Sequence, residues 1–331
     1  MKYSNIDFNN KTVVVTGGAG FIGSNLAFYF QENYPNCKVI VFDKFRSEEK
    51  FSNGNLKSFG HFKNLLGFNG IIISGDINNK DDLARLEKYD IDYIFHEAAI
   101  SDTTVADQKI MIDTNVNAFK DLCDLAVKKN ASMIYASSAA TYGNSNKFSV
   151  GFEKPNNVYG FSKLMMDNLA KEYYDKIRIV GLRYFNVYGP REYFKNKTAS
   201  MVLQFGLQLL RGESAKLFEG SDKILRDFIF IEDVIQANIK SCETEKNGVY
   251  NVGTGKARSF QDIVDILKRE LNIERDDTYI PNPYIGQYQF FTQADIEDTK
   301  KYLGYEPRFE LEEGIKAYLP EIIRIYEEEV R

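Results

Sequence analysis

One junction near the N-terminus narrows the possible folds more than any other stretch: Thr12-Val13-Val14-Val15-Thr16 runs straight into Gly17-Gly18-Ala19-Gly20-Phe21-Ile22-Gly23. The β-branched run has no polar alternation, so it predicts a strand buried on both faces. The glycine run then opens a helix through about Asn33. Glycines at 17, 20 and 23 permit a tight turn, close approach of backbone to a pyrophosphate, and close packing of helix on strand. A second apolar strand, Lys38 to Phe42, ends in Asp43, twenty residues past Gly23, where a carboxylate can hold ribose hydroxyls. The expected ligand is a nicotinamide dinucleotide. Asp43 repels a 2′-phosphate, yet Lys44 and Arg46 beside it could neutralise one, so NAD and NADP both stay open.

The alternation continues. Strand Ile71 to Ser74 ends in Gly75-Asp76-Ile77, followed by helix Lys80 to Lys88, strand Tyr93 to Phe95, helix Met111 to Lys129 and strand Ser132 to Ala136. Repeats of this kind predict an α/β fold, a Rossmann-type doubly wound parallel sheet. With 331 residues, 44% of them hydrophobic, there is material for a second, smaller α/β substrate-binding lobe. Residues 1–186 are assigned to the nucleotide-binding domain, with 228–255 returning to it. Residues 187–227 and 256–331 are assigned to the substrate lobe. That lobe contains helices Met201 to Leu210, Phe260 to Leu271 and Glu313 to Glu328, with strands Phe228 to Ile231 and Val249 to Val252 on the sheet side. Phe45 to Gly70 is long for a connection and is expected to drape over the adenosine end or against a neighbouring subunit.

Ligands on such sheets sit beyond the carboxyl ends of the strands. Past one end lies Tyr159-Gly160-Phe161-Ser162-Lys163, where a helical apolar period puts Tyr159 and Lys163 on one face. A phenol with a pKa of roughly 10 is a poor base at neutral pH, and a desolvated cation beside it favours the phenolate. Ser138, leaving the fifth strand, is placed to share a substrate oxygen with Tyr159. Taken alone, a Tyr and a Lys four apart are more often a packed ring beside a solvated amine.

The formal charge of −5, with no basic block, argues against a nucleic-acid partner. No apolar run approaches a membrane span, and the polar N-terminus carries no export signal, so a cytoplasmic protein is expected. Cys37, Cys123 and Cys242 are scattered, which suggests neither disulfides nor a zinc site, and no metal is predicted. His61 and His96 are expected to be structural.

With these pieces in place the chain resembles the extended short-chain dehydrogenase/reductase family of nucleotide-sugar epimerases and dehydratases. The likeness covers nearly the whole chain. It rests on the glycine run, Tyr135 to Gly143, the Tyr159–Lys163 pair, Arg183-Tyr184-Phe185-Asn186-Val187-Tyr188-Gly189-Pro190-Arg191-Glu192, Arg226-Asp227-Phe228 and Phe291 to Asp295. Phe218-Glu219-Gly220-Ser221 and the region from Gln289 to Asp295 narrow it to members that act at carbon 6 of an ADP-activated heptose.

The resemblance implies a cofactor site of Gly17, Gly20, Phe21, Ile22, Gly23, Asp43, Lys44, Asp76, Ile77, Glu97, Ala98, Ala99 and Ser101, with Asn115, Tyr159, Lys163 and Val187 at the nicotinamide half. For the sugar nucleotide it implies Ser138, Asn186, Lys195, Lys197, Phe218, Glu219, Gly220, Ser221, Arg226 and Tyr288. It further implies one tightly bound NAD or NADP per subunit, a homo-oligomer, and a catalytic set of Tyr159, Lys163, Ser138 and Lys195. Lys197 stands where the family has a small serine, so Lys195 and Lys197 compete for the role of second acid/base. Rival activities are 4-epimerisation, net reduction and 4,6-dehydration. The last is disfavoured because Ala139-Ala140-Thr141 replaces the Asp-Glu pair of dehydratases. A cofactor-sensing protein without catalysis would have no need of Ser138, Tyr159 and Lys163 together.

Overall fold

The computed structural model describes residues 1–282 and 290–330. Twelve strands are present among them: β1 Thr12–Thr16, β2 Lys38–Asp43, β3 Ile71–Ser74, β4 Tyr93–His96, β5 Ser132–Ser138, β6 Ile179–Tyr184, β7 Asn186–Tyr188, β8 Lys216–Phe218, β9 Leu225–Phe230, β10 Gly248–Val252, β11 Ala257–Ser259 and β12 Thr278–Ile280. The helices are α1 Phe21–Asn33, α2 Lys80–Ala84, α3 Gln108–Ile112, α4 Ala118–Lys129, α5 Val158–Ala170, α6 Met201–Leu210, α7 Ile231–Ser241, α8 Phe260–Leu271, α9 Glu297–Leu303 and α10 Leu311–Val330.

Seven strands form one parallel sheet in the order β10-β6-β5-β4-β1-β2-β3. Val13, Val14 and Val15 of β1 are wholly buried, and alternate residues feed the two apolar layers on either face. The order reverses between β1 and β4, where a crevice opens at the strands' carboxyl ends. A sheet of three, β11-β9-β7, and a pair, β12-β8, stand apart from the large sheet.

Several expectations shift. The strand expected from Phe228 starts at Leu225 and pairs with β7 and β11 instead of joining the large sheet. The chain leaves β6 at Phe185 and β7 carries it away, so β9 pairs with what β7 offers. Only β10 of the returning segment enters the large sheet, beside β6. The expected helix from Lys80 to Lys88 is shorter, ending at Ala84. The helix expected from Met111 begins at Gln108, capped by Asp107, and widens at 113–117 before α4.

Candidate active site

A cleft of about 1000 Å3 lies over the crevice, lined by the glycine turn, the ends of β2 to β6, α5 and parts of the smaller lobe. Its dinucleotide wall begins at Gly17, whose φ of +68° is in the left-handed region and whose added Cβ would sit 2.7 Å from the Ala98 nitrogen. Gly20 caps α1 without a side chain, and no acidic residue stands in the first turn, so the positive end of the 13-residue helix faces the cleft unblocked. Asp43 ends β2, buried, its carboxylate accepting from the Ala19 and Phe45 amides at 2.9 and 2.7 Å. Burial pushes its pKa up while those amides pull it down. Lys44 pairs with Asp76 at 2.8 Å, and both line the cleft. The glycine cradle and open helix end fit a dinucleotide's diphosphate, and the Asp43 and Asp76 end fits its ribose.

The chemical wall is built by β5 and α5. Asn157 caps α5, its side chain accepting from Gly160 N at 2.8 Å. Gly160 packs so near the turn after β5 that an added Cβ would lie 2.3 Å from the Ala140 oxygen. This contact brings Tyr159 within hydrogen-bonding reach of Ser138. One turn on, Lys163 is buried and donates to the Ala136 carbonyl at 2.7 Å. Its nitrogen is 6.0 Å from the centre of the Tyr159 ring. Burial lowers Lys163 to about 8, against the opposing charges of Glu97 and Asp167.

The expectation that Lys163 brings the phenol down is not met by the protein's own groups. Burial pushes Tyr159 above its ordinary value, the Ser138 hydrogen bond opposes, and the Glu97 carboxylate reinforces. Glu97 itself is enclosed. Burial raises it to about 7, although it accepts from the Tyr184 hydroxyl at 2.9 Å.

Lys195 lines the cleft from a different direction, on a kinked 3-10 stretch after β7, Tyr193–Thr198, its nitrogen 5.5 Å from the Phe21 ring centre. Burial lowers its pKa, and Glu192 opposes. Lys197 is exposed and outside the lining, because Asn196 between them reverses the backbone with φ +52° and ψ −125°.

Most residues assigned from the sequence meet here: Gly17, Gly20, Phe21, Ile22, Gly23, Asp43, Lys44, Asp76, Ile77, Glu97, Ala98, Ala99, Ser101, Ser138, Tyr159, Lys163, Asn186, Val187 and Lys195 all line the cleft. Asn115 does not. Its amide is wholly buried, bonded to both backbone groups of Ile100 and to the Ser162 hydroxyl, so it ties the strand-end segment to α5 from behind. Phe218, Glu219, Gly220, Ser221 and Arg226 also lie outside the lining, held in β8, β9 and the turn between them. Tyr288 falls outside the described residues.

Two features escape sequence reasoning. One is how the segment from Phe45 to Gly70, expected over this end or against a neighbour, is fastened where it lines the cleft through Phe51 and Leu56 to Gly60. Phe51 packs with Ile100, Val105, Met111 and Tyr159, while Asn53 and Asn55 donate to Asp102 at 3.0 and 2.7 Å. The other is a buried ion cluster: the Arg183 guanidinium binds Asp167 at 3.0 and 2.8 Å and Glu153 at 2.6 Å. Asp167 also accepts from Tyr135 and Ser137, each at 3.1 Å. Asp167 falls four residues past Lys163, the one signal in the sequence that could have found it.

The model of the NAD dependent epimerase/dehydratase family matches residues 13–253. The chain belongs to this family. Among solved structures it is similar to the ADP-L-glycero-D-manno-heptose-6-epimerase of Helicobacter pylori, at 52% identity over 98% of this chain and 99% of that one, with a TM-score of 0.91. It is more distantly similar to a UDP-glucose 4-epimerase of Thermotoga maritima, solved with UDP-glucose, at 27% identity over 95% and 99% of the chains (TM-score 0.83). A UDP-N-acetylglucosamine 4-epimerase of Methanobrevibacter ruminantium matches at 28% over 96% and 99% (TM-score 0.84). Family membership places the chain among NAD-dependent epimerases and dehydratases. Among the described residues no His, Cys, Asp or Glu cluster could hold a metal, and no helix is long and apolar enough to cross a membrane.

Proposed function

We propose that the chain is an epimerase converting ADP-D-glycero-D-manno-heptose to ADP-L-glycero-D-manno-heptose at carbon 6. The observation that carries this is the presence of two desolvated acid/base groups, Tyr159 and Lys195, on different walls of one cleft, in a chain 52% identical to a heptose epimerase. Inverting a carbon with no adjacent carbonyl cannot proceed through simple proton removal. The nicotinamide, when bound, supplies a reversible hydride acceptor that makes a transient 6-ketone accessible.

The chain's own residues handle the protons. Tyr159 exchanges the hydroxyl proton in one orientation of the sugar and Lys195 in the other. Ser138 hydrogen-bonds the reacting oxygen, and Lys163 keeps positive charge behind Tyr159. Gly17, Gly20 and Gly23 with the start of α1 hold the diphosphate of the dinucleotide, and Asp43 with Lys44 and Asp76 its adenosine ribose. The reaction has no net redox change, so the protein gains nothing by releasing the dinucleotide. The segment from Phe51 to Gly60 along that wall supports tight retention of one NAD or NADP per subunit.

On the same reading the enzyme is a cytoplasmic homo-oligomer supplying heptose for the lipopolysaccharide inner core. The test is proton NMR of the purified protein with ADP-D-glycero-D-manno-heptose in D2O and no added cofactor. Conversion to the L-glycero isomer without deuterium at carbon 6 is expected. An unchanged substrate, with nicotinamide found in the denatured protein, would move the activity to another sugar nucleotide.

A further inference from the structure

Lys195 is carried only by a short 3-10 stretch, Tyr193–Thr198, kinked at Asn196. Two residues close by, Arg191 and Asn196, are non-glycine residues with φ of +74° and +52°. Such conformations cost on the order of 1–3 kcal/mol each and persist only where the surroundings enforce them. Part of these surroundings comes from the C-terminal helix, where Glu321 of α10 accepts from the Arg191 amide at 2.8 Å, and part from the nucleotide-binding half. Asn25 of α1 donates to the Pro190 carbonyl at 3.0 Å, and Arg191 lies 3.9 Å from the Phe28 ring centre. Next to the lysine, the Phe194 ring stacks on His61, centres 3.7 Å apart and planes 2° from parallel. Arg46 donates to the Phe194 carbonyl, and its guanidinium lies 5.8 Å from the same ring.

Both partners are anchored in the dinucleotide wall. The His61 amide donates to the Ala19 carbonyl inside the glycine turn at 3.0 Å, and the Arg46 amide to Gly60 at 2.7 Å. Arg46, which the sequence offered as a partner for a 2′-phosphate, has its guanidinium turned to Phe194 instead.

Resting on the epimerase reading, we propose that Arg46 and His61 are positioning residues that act through Phe194 to set Lys195 in the cleft. A displacement of about 1 Å in a reacting group can cost on the order of a hundredfold in rate. A backbone carbonyl gripped by a guanidinium and a ring clamped by an imidazole remove that freedom at the residue before Lys195.

The test compares Arg46→Ala, His61→Ala and His61→Phe, each alone and combined with Lys195→Ala. Turnover is expected to fall roughly 10- to 100-fold in the two alanine variants, with KM nearly constant and nicotinamide content per subunit unchanged. His61→Phe, which keeps a ring against Phe194, is expected to recover most of the rate. In the Lys195→Ala background, Arg46→Ala should add less than about twofold, because residues acting as a unit are not additive. Full turnover in both alanine variants, losses that multiply with Lys195→Ala, or losses that follow cofactor content would each overturn the inference.

A second measurement stands apart from turnover. After reductive 13C-methylation, the Lys195 signal, assigned with Lys195→Arg, should titrate below those of exposed lysines and move up to join them in Arg46→Ala. An unmoved signal counts against the inference even if the natural protein proves inert on the heptose, an outcome that would sink the epimerase reading by itself.

Discussion

The two acid/base groups are held in opposite ways. Tyr159 and Lys163 ride on a regular helix packed against the sheet, backed by an ion cluster and fixed by one helical turn of spacing. Lys195 sits in a short, kinked 3-10 stretch between two left-handed residues and depends on side chains from a segment more than a hundred residues earlier. A group fixed by a helix can be found from local spacing. A group fixed by long-range latches leaves no local pattern, and it is the easier one to displace without unfolding the protein.

The largest effect should come from Tyr159→Phe, which removes the proton carrier and leaves the ring: kcat should fall on the order of a thousandfold, with the melting temperature little changed. Activity within tenfold of normal would remove the tyrosine from the centre of this comparison.

Next, Arg183→Met strands the buried Asp167 and Glu153 carboxylates. A loss of about 3 to 5 kcal/mol is expected in denaturant unfolding, against under about 1 kcal/mol for exposed Lys197→Met. Equal losses would mean that the two sides are not held differently.

Dryness at the sheet side can be tested by pH. His96 ends β4, buried, its Nδ1 bonded to Thr16 Oγ1 at 2.7 Å, and burial lowers its pKa to about 3. A base whose folded pKa lies below its unfolded value of about 6.5 stabilises fully above 6.5 and progressively less as pH falls towards 3. Between pH 7 and 5 the His96 contribution should drop by about 2 kcal/mol, and His96→Asn should flatten that part of the stability curve. A curve unchanged by the substitution would mean that the imidazole takes a proton in place.

Smallest is the clasp of the Phe51 hairpin. Asn55→Ala removes one hydrogen bond to the Asp102 carboxylate, about 1 to 2 kcal/mol, and should speed nicotinamide release several-fold in dialysis while leaving kcat near normal.

Much of the frame was legible because it is local. The valine strand, the glycine turn and the carboxylate at the end of β2 lie within 32 residues, counting from Thr12 to Asp43, and each obeys a short-range rule. The Tyr159–Lys163 face follows from helical period alone. Ser138 is legible from its position leaving a strand, and the sheet's parallel order from alternation. What stayed hidden joins distant residues: Arg183 to Asp167 and Glu153, Asn55 to Asp102, His61 to Phe194.

The choice between Lys195 and Lys197 for a place in the cleft turned on a single reversed backbone at Asn196, which no propensity of the flanking residues announces. The family resemblance implies Asn115 as a contact of the nicotinamide half, but its amide binds Ile100 and Ser162 and lies outside the cleft lining. Polarity in a sequence cannot separate a ligand contact from a brace behind it.

The order in which the chain enters and leaves the large sheet carries one more consequence. It leaves the large sheet after β6, builds β7 to β9, returns through α7 to β10, and leaves again for β11. Each crossing lies within one apolar cluster, which joins Val13 of β1 to Ile315 of α10. On the proposed reading, inverting a carbon asks the sugar to present both of its faces to one fixed set of groups. A laced frame suits that demand, since the guest turns over while the room keeps its shape.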